Sequence, residues 1–184
     1  FGDNGEMSRN VSWMCDTVVR EAHLEVQPEG ATQPFCVKAE GEVFASRSGK
    51  AAYYVARLKQ LQDGVRYRYR AVTNGKESPW YDFQVTNPDT KKDVSFLFFG
   101  DVQDSINGVS HRFIQQAWMQ HPASDFVVFG GDLTERPTDA YWAETFRGLD
   151  SIGQRLPVLC VTGNHEYLKY PLRKLERRFS LVFS

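Results

Sequence analysis

Three apolar runs, each cut short by glycine and followed at once by polar side chains, constrain this chain more than any other feature. Val94-Ser95-Phe96-Leu97-Phe98-Phe99 runs into Gly100-Asp101-Val102-Gln103. Asp125-Phe126-Val127-Val128-Phe129 runs into Gly130-Gly131-Asp132. Pro157-Val158-Leu159-Cys160-Val161 runs into Thr162-Gly163-Asn164-His165-Glu166. Runs this short and this branched read as buried strands. Asp101 and Asp132 are 31 positions apart, and Asp132 and Asn164 are 32 apart. A repeat of that length fits one βαβ unit. Parallel strands built this way end on one edge of their sheet, so Asp101, Asp132, Asn164 and His165 are expected in a single crevice.

The segments between these runs support that expectation. Gly108 to Gln120 reads as a helix with Phe113, Ile114, Ala117 and Trp118 on one stripe. Thr138 reads as the N-cap of a second helix that runs to about Leu149, with Tyr141, Trp142, Thr145, Phe146 and Leu149 facing the sheet. Lys169 to Arg178 reads as a charged helix with a solvated face. The apolar alternation from Phe179 to Ser184 reads as a strand.

Two carboxylates, an amide and an imidazole make a mixed oxygen and nitrogen donor set, suited to borderline divalent or trivalent metals. Taken singly, either aspartate could be a turn cap. The regular spacing of all three strand ends favours metal binding. His111 and His121 read as surface or capping histidines, and His23 as structural.

The ordered trio, Asp101, then Gly131-Asp132, then Gly163-Asn164-His165-Glu166, resembles the calcineurin-like metallophosphoesterase superfamily over about residues 94 to 170. The resemblance implies a hydrolase of phosphate esters that works through a metal-activated hydroxide. It implies two divalent or trivalent ions (manganese, zinc or iron), about 3.5–4 Å apart, that offset phosphoryl charge and acidify a bound water. Asp132 would bridge the ions, Asp101 would bind the first and Asn164 the second. His165 would stay off the metals and give a proton to the leaving group. Glu166 would orient His165 or bond to backbone. Family members carry histidine two residues after the first aspartate, where this chain has Gln103. Its amide oxygen could ligate weakly or hold a metal-bound water. Purple acid phosphatases carry tyrosine three residues after the second aspartate, where this chain has Glu135, so a colourless protein is expected.

Residues 1 to 88 read differently. Strand-like runs, Asn10 to Cys15, His23 to Gln27, Pro34 to Ala39, Tyr53 to Leu58, Val65 to Ala71 and Trp80 to Val85, are separated by turns such as Ser48-Gly49-Lys50 and Asn74-Gly75. About seven short strands indicate a β-sandwich. Leu58 to Tyr69 resembles the fibronectin type III pattern, with Tyr67 as corner tyrosine and Trp13 as core tryptophan. A sandwich ahead of a phosphatase half is also similar to the purple acid phosphatases. Asn87 to Asp93 reads as the linker. The expected fold is therefore mixed: a fibronectin III-like β-sandwich over 1–88, then over 89–184 the first βαβαβ half of an α/β metallophosphatase sandwich.

The chain has four histidines and none beyond His165. The family completes its metal sites with histidines further along, so the chain is expected to be the N-terminal part of a longer enzyme that alone binds metal weakly and turns over little. The start at Phe1 without methionine, and the export common among sandwich-plus-phosphatase proteins, point to an extracytoplasmic place, secreted or periplasmic. With 22 basic and 23 acidic residues, no charge excess marks a nucleic-acid partner. No run approaches the length of a membrane span. Of three cysteines, Cys15 and Cys36 could pair, and Cys160 reads as a core thiol. A homodimer through the sandwich is compatible with the sequence. From another class, a binding or adhesion protein with a vestigial phosphatase-like half also fits, because Gln103 replaces histidine.

Overall fold

The computed structural model describes residues 7–47, 49–86, 91, 93–169 and 171–184. Phe1, Ser48 of the first turn, Tyr170 of the charged segment and most of the expected linker (Asn87, Pro88, Asp89, Thr90 and Lys92) lie outside them. The chain divides into two compact units, 1–93 with Ser184, and 94–183.

The first unit contains β1 (Arg9–Cys15), β2 (Ala22–Pro28), β3 (Phe35–Lys38), β4 (Glu40–Ala45), β5 (Lys50–Leu58), β6 (Arg66–Thr73), β7 (Lys76–Glu77) and β8 (Tyr81–Gln84). One antiparallel sheet has the order β1-β5-β4, and the other runs β3-β2-β6-β7 with β8 also paired to β6. Alternation decides which side chains meet between them. Tyr67 and Tyr69 of β6 are buried, whereas Arg66 and Arg68, which alternate with them, are exposed. Leu24, Val26, Tyr54, Ala56, Leu58, Tyr67, Tyr69 and Phe83 form one core. The hairpin between β6 and β7 has φ of 50° at Asn74 and 74° at Gly75. Those paired positive angles belong to the tight hairpin turn that an Asn-Gly pair favours. The Tyr67 hydroxyl accepts from the Gln62 backbone N–H at 2.9 Å. Trp13 is half-buried, stacks on Tyr54 and donates its indole N–H to Thr73 Oγ1 at 3.0 Å. Strand β4 was not among the expected strands. The Cys15–Cys36 pair does not form: all three thiols are free, with Cys15 on β1 of one sheet and Cys36 exposed on β3 of the other.

The second unit contains β9 (Phe96–Phe99), α1 (Ser110–Gln120), β10 (Phe126–Phe129), α2 (Asp139–Leu149), β11 (Val158–Cys160), β12 (Tyr167–Leu168), β13 (Lys174–Leu175) and α3 (Arg177–Val182). Strands β9, β10 and β11 are parallel and lie in the order β11-β10-β9. Each strand is therefore laid beside its predecessor in one direction. Right-handed crossovers in one direction put their helices on one face of the sheet. Helices α1 and α2 pack together, and Ile114, Trp142 and Leu149 join Leu97, Val127 and Phe129 in a second core. Phe113, expected on the buried stripe of α1, is 61% exposed instead. The opposite sheet face carries exposed Phe96, Phe98, Leu159 and Val161, at 51%, 63%, 37% and 61%.

Two expectations fail here. Lys169 to Arg178 is not a helix. Its Lys174–Leu175 form β13, paired antiparallel with β12 just ahead of the segment, its last two residues, Arg177 and Arg178, open α3, and Pro171 is unsuited to a helix interior. Nor is Phe179 to Ser184 a strand, because α3 runs through it. Phe179, Leu181 and Phe183 satisfy a period of two, but Phe179 and Phe183 also satisfy i,i+4. The helix wins through their ring contact at 5.1 Å and the Glu176 side chain, which caps it by accepting from Arg178 N. Arg178 is accordingly buried rather than solvated, paired with Asp139 and Glu176.

Candidate metal centre

Each parallel strand ends in a residue with special backbone needs. Asp101 follows β9 with φ of 51°, and Asp132 follows β10 with φ of 50°. Aspartate tolerates this left-handed region better than bulky residues, and such conformers gather at functional sites. Gly131, at φ of 95°, brings its loop against the loop after β11: a Cβ there would lie 2.6 Å from Gly163 N. A Cβ on Gly163 would lie 2.1 Å from Asp132 Oδ1. Both glycines are thus required by close approach, and Gly131 by its positive φ as well.

The loops are bonded as tightly as they are packed. Gln103 N–H donates to the Asp132 carbonyl at 2.9 Å. His165 N–H donates to Asp132 Oδ1 at 2.8 Å. The aspartate after β10 therefore takes one bond from the loop after β9 and another from the loop after β11. Asp101 and Asn164 lie within two residues of these donors in sequence.

Glu166 ties the same loops from beneath. Its carboxylate is fully buried and accepts from Asp132 N at 3.0 Å, Leu133 N at 2.8 Å, Thr134 N at 3.4 Å and Gly163 N at 2.7 Å. Of the two roles open to Glu166 in the sequence, bonding to backbone is the observed one. His165 is positioned from elsewhere. Its Nδ1 lies 2.7 Å from the Glu135 carbonyl oxygen. A carbonyl only accepts, so Nδ1 carries the hydrogen and Nε2 is the nitrogen left to exchange a proton. The Glu135 carboxylate is 3.9 Å from Nδ1. Position 135 thus orients the imidazole chiefly through its backbone carbonyl, with its carboxylate a more distant partner.

Neighbouring groups have other work. Asp104 accepts from Val109 N at 2.6 Å, Ser110 N at 3.1 Å and Ser105 N at 2.7 Å, and the Val109 bond foremost holds its carboxyl below the usual range. The helix-opening signal at Asp104 was missed because the cap acts from six residues before α1. Thr138 occupies the N-cap of α2 without a side-chain cap bond. Burial first, and the Glu166 charge second, push the Cys160 thiol up to about 12, so it stays protonated. His111 pairs with Glu144 at 3.5 Å.

Among the described residues, no three His, Cys, Asp or Glu side chains gather so as to hold a metal ion. The candidate donors are instead two carboxylates, Asp101 and Asp132, and two amides, Gln103 and Asn164. One feature of this set fits a cation. Gln103 Oε1 is buried and has no hydrogen-bond partner among the described residues. A buried acceptor left so costs about 1–3 kcal/mol, which an electropositive partner would relieve.

Residues 94–183 match the family model of the calcineurin-like phosphoesterases. Among solved structures, purple acid phosphatase PPD1 from yellow lupin (Lupinus luteus) seeds aligns with 90% of this chain and 34% of its own, at 20% identity and a TM-score of 0.73. PhoD aligns with 90% of this chain and 38% of its own, at 15% identity and a TM-score of 0.54. At such identities the likeness is one of fold. The chain spans little more than a third of the length of either structure. No curated protein sequence matches it.

Proposed function

We propose that this chain, whose residues 94–183 match the family model of the calcineurin-like phosphoesterases, is part of a metal-dependent phosphoesterase acting on phosphomonoesters or phosphodiesters. The observation that carries the reading is the position of Asp132, bonded at once to Gln103 and to His165 from the two flanking strand ends. Asp101, Gln103, Asp132 and Asn164 would hold the cations. When bound, two such ions supply positive charge against a phosphoryl group and acidify water.

The chain's own residues supply position and a proton. Asp132 has Oδ1 engaged by His165 N–H, which leaves Oδ2 for a second partner. His165 keeps Nδ1–H on the Glu135 carbonyl, so its Nε2 is the atom that would protonate a leaving-group oxygen. Glu166 holds the loops so that neither group drifts. The bare sheet face bearing Phe96, Phe98, Leu159 and Val161 supports a further layer over it, since parallel sheets are ordinarily covered on both sides. No helix among the described residues is long and apolar enough to cross a membrane. Glu135 in place of a phenolate donor supports a colourless iron-loaded form. An intense visible band in that form would contradict this.

The test is hydrolysis of p-nitrophenyl phosphate and bis(p-nitrophenyl) phosphate by the longer chain, with manganese, zinc or iron supplied, beside Asp132→Ala. The expected result is metal-dependent hydrolysis of at least one ester by the longer chain, abolished by the substitution, and little turnover by these 184 residues alone. Tight metal binding without hydrolysis would overturn the proposal in favour of a binding protein, and hydrolysis indifferent to Asp132→Ala would overturn the assigned site.

A further inference from the structure

Resting on that reading of the site, we infer that Lys169 and Arg173, on the hairpin that follows His165, form a subsite for a second phosphate carried by the leaving group of the ester. The hairpin, β12 and β13 with the residues between them, is closed at its root on the site: Glu176 N–H donates to the Glu166 carbonyl at 3.0 Å. Tyr167 stands two residues beyond His165, at most about 7 Å of extended chain. The Arg173 guanidinium lies 4.9 Å from the centre of the Tyr167 ring. A guanidinium resting on a ring keeps the N–H donors along its edge, where they fit a phosphate in pairs.

Register adds Lys169. Tyr167 pairs with Leu175, and Leu168 with Lys174. Continued by one step, this register sets Lys169 opposite Arg173, on the face that carries Tyr167. Leu175 of that face packs against the second core, so the face is turned to the body of the unit, and Leu168 and Lys174 belong to the other. Lys169 and Arg173 are exposed, and neither has an ion-pair partner among the described residues, whereas Arg178 is paired with Asp139 and Glu176. Such cations on a hairpin rooted beside the proton donor favour a leaving group that is itself anionic. A bisphosphorylated alcohol has that chemistry. Hydrolysis of its first ester breaks one P–O bond, and water supplies the oxygen that replaces it. The alcohol oxygen takes the His165 proton while the second phosphate stays on the alcohol. The competing partner is an anionic membrane, to which Leu172 at the hairpin tip, 80% exposed, would add an apolar contact. Arg173, folded back over Tyr167 rather than extended past the tip, favours the substrate.

The experiment compares butyl phosphate with butanediol bisphosphate as substrates of the longer chain with manganese supplied. Calorimetry measures the binding of inorganic diphosphate to these 184 residues without metal. The proteins are the unaltered chain, Lys169→Gln combined with Arg173→Gln, Arg173→Lys, and Lys174→Gln, each checked by circular dichroism. The unaltered chain is expected to favour the bisphosphate by about tenfold in kcat/KM, the summed scale of two exposed cations paired with phosphate. The double substitution is expected to remove that preference and to weaken diphosphate binding about tenfold. Arg173→Lys keeps the charge but not the paired donors, and is expected to lose part of each. Lys174→Gln takes a charge from the opposite face and is expected to alter neither. No preference in the unaltered chain, a preference or a diphosphate affinity indifferent to the double substitution, or an equal loss in Lys174→Gln overturns the inference. Binding of phosphatidylserine vesicles that the double substitution abolishes, with the preference intact, overturns it in favour of a membrane surface. Hydrolysis of neither ester by the longer chain, with diphosphate binding intact, overturns instead the reading of the site, and the leaving-group assignment with it.

Discussion

The antiparallel unit and the parallel-sheet unit treat their polar groups in opposite ways. In the first, half-buried and buried polar side chains finish their bonds inside the fold: Tyr67 with Gln62 N, Trp13 with Thr73, and Tyr54 with Arg20 N. In the second, Gln103 Oε1, Thr134 Oγ1 and Trp142 Nε1 are buried without partners among the described residues. One sheet face there is exposed. The difference teaches where binding is to be sought. A unit that satisfies itself is scaffold, and a unit with buried, unsatisfied polar groups is arranged for something else to complete it.

The contrast can be broken most sharply at Glu166. Glu166→Ala leaves the N–H groups of Asp132, Leu133 and Gly163 without their buried acceptor. A loss of about 3 kcal/mol or more from the second unit is expected. Hydrogen exchange should show lost protection across β9, β10 and β11 with β1 to β8 unaltered. Equal loss in both units would mean that the carboxylate is not a local tie. Gly163→Ala follows, at about 2 kcal/mol, because the new methyl group falls on Asp132 Oδ1. Its check is thermal unfolding together with the chemical shift of His165 N–H, which reports the bond to Asp132.

Tyr67→Phe probes the other side of the comparison. It strips Gln62 N–H of its partner in the self-satisfied unit, for about 1 kcal/mol by urea unfolding, with no effect on cation binding. The smallest effect is a pH dependence. Backbone N–H bonds, that of Val109 foremost, lower the Asp104 carboxyl in the folded chain. A depressed carboxyl contributes stability above its unfolded value of about 3.9, and loses it as pH falls through the folded value. Asp104→Asn should therefore flatten the acid limb of the stability profile and leave stability at neutral pH only slightly lower. An acid limb unchanged by the substitution would show that the cap is not coupled to folding.

Much of this organisation was legible in the residues because it rests on local rules. The strand ends, their spacing and the Asn74-Gly75 hairpin need only periodicity and turn chemistry. The places that misled had two readings of equal local merit. Phe179, Leu181 and Phe183 fit both a strand and a helix, and the decision came from the Glu176 cap and the ring contact of Phe179 with Phe183. Strand β4 was hidden by Glu40 and Glu42, which are exposed and carry no apolar alternation. Glu166 was visible beside His165, but its bonds reach 32 to 34 positions back to residues 132–134. No local pattern encodes that. The Glu135 carbonyl is a backbone atom, so its residue type gives no sign of its part in holding His165.

The account stands on three loops meeting at Asp132 to receive a cation. Paramagnetic broadening by Mn2+ in the NMR spectrum of the isotope-labelled chain tests this most directly. The predicted result is broadening confined to residues near Asp101, Gln103, Asp132, Asn164 and His165, removed by Asp132→Ala. Broadening scattered over the acidic surface, or indifferent to that substitution, would contradict it.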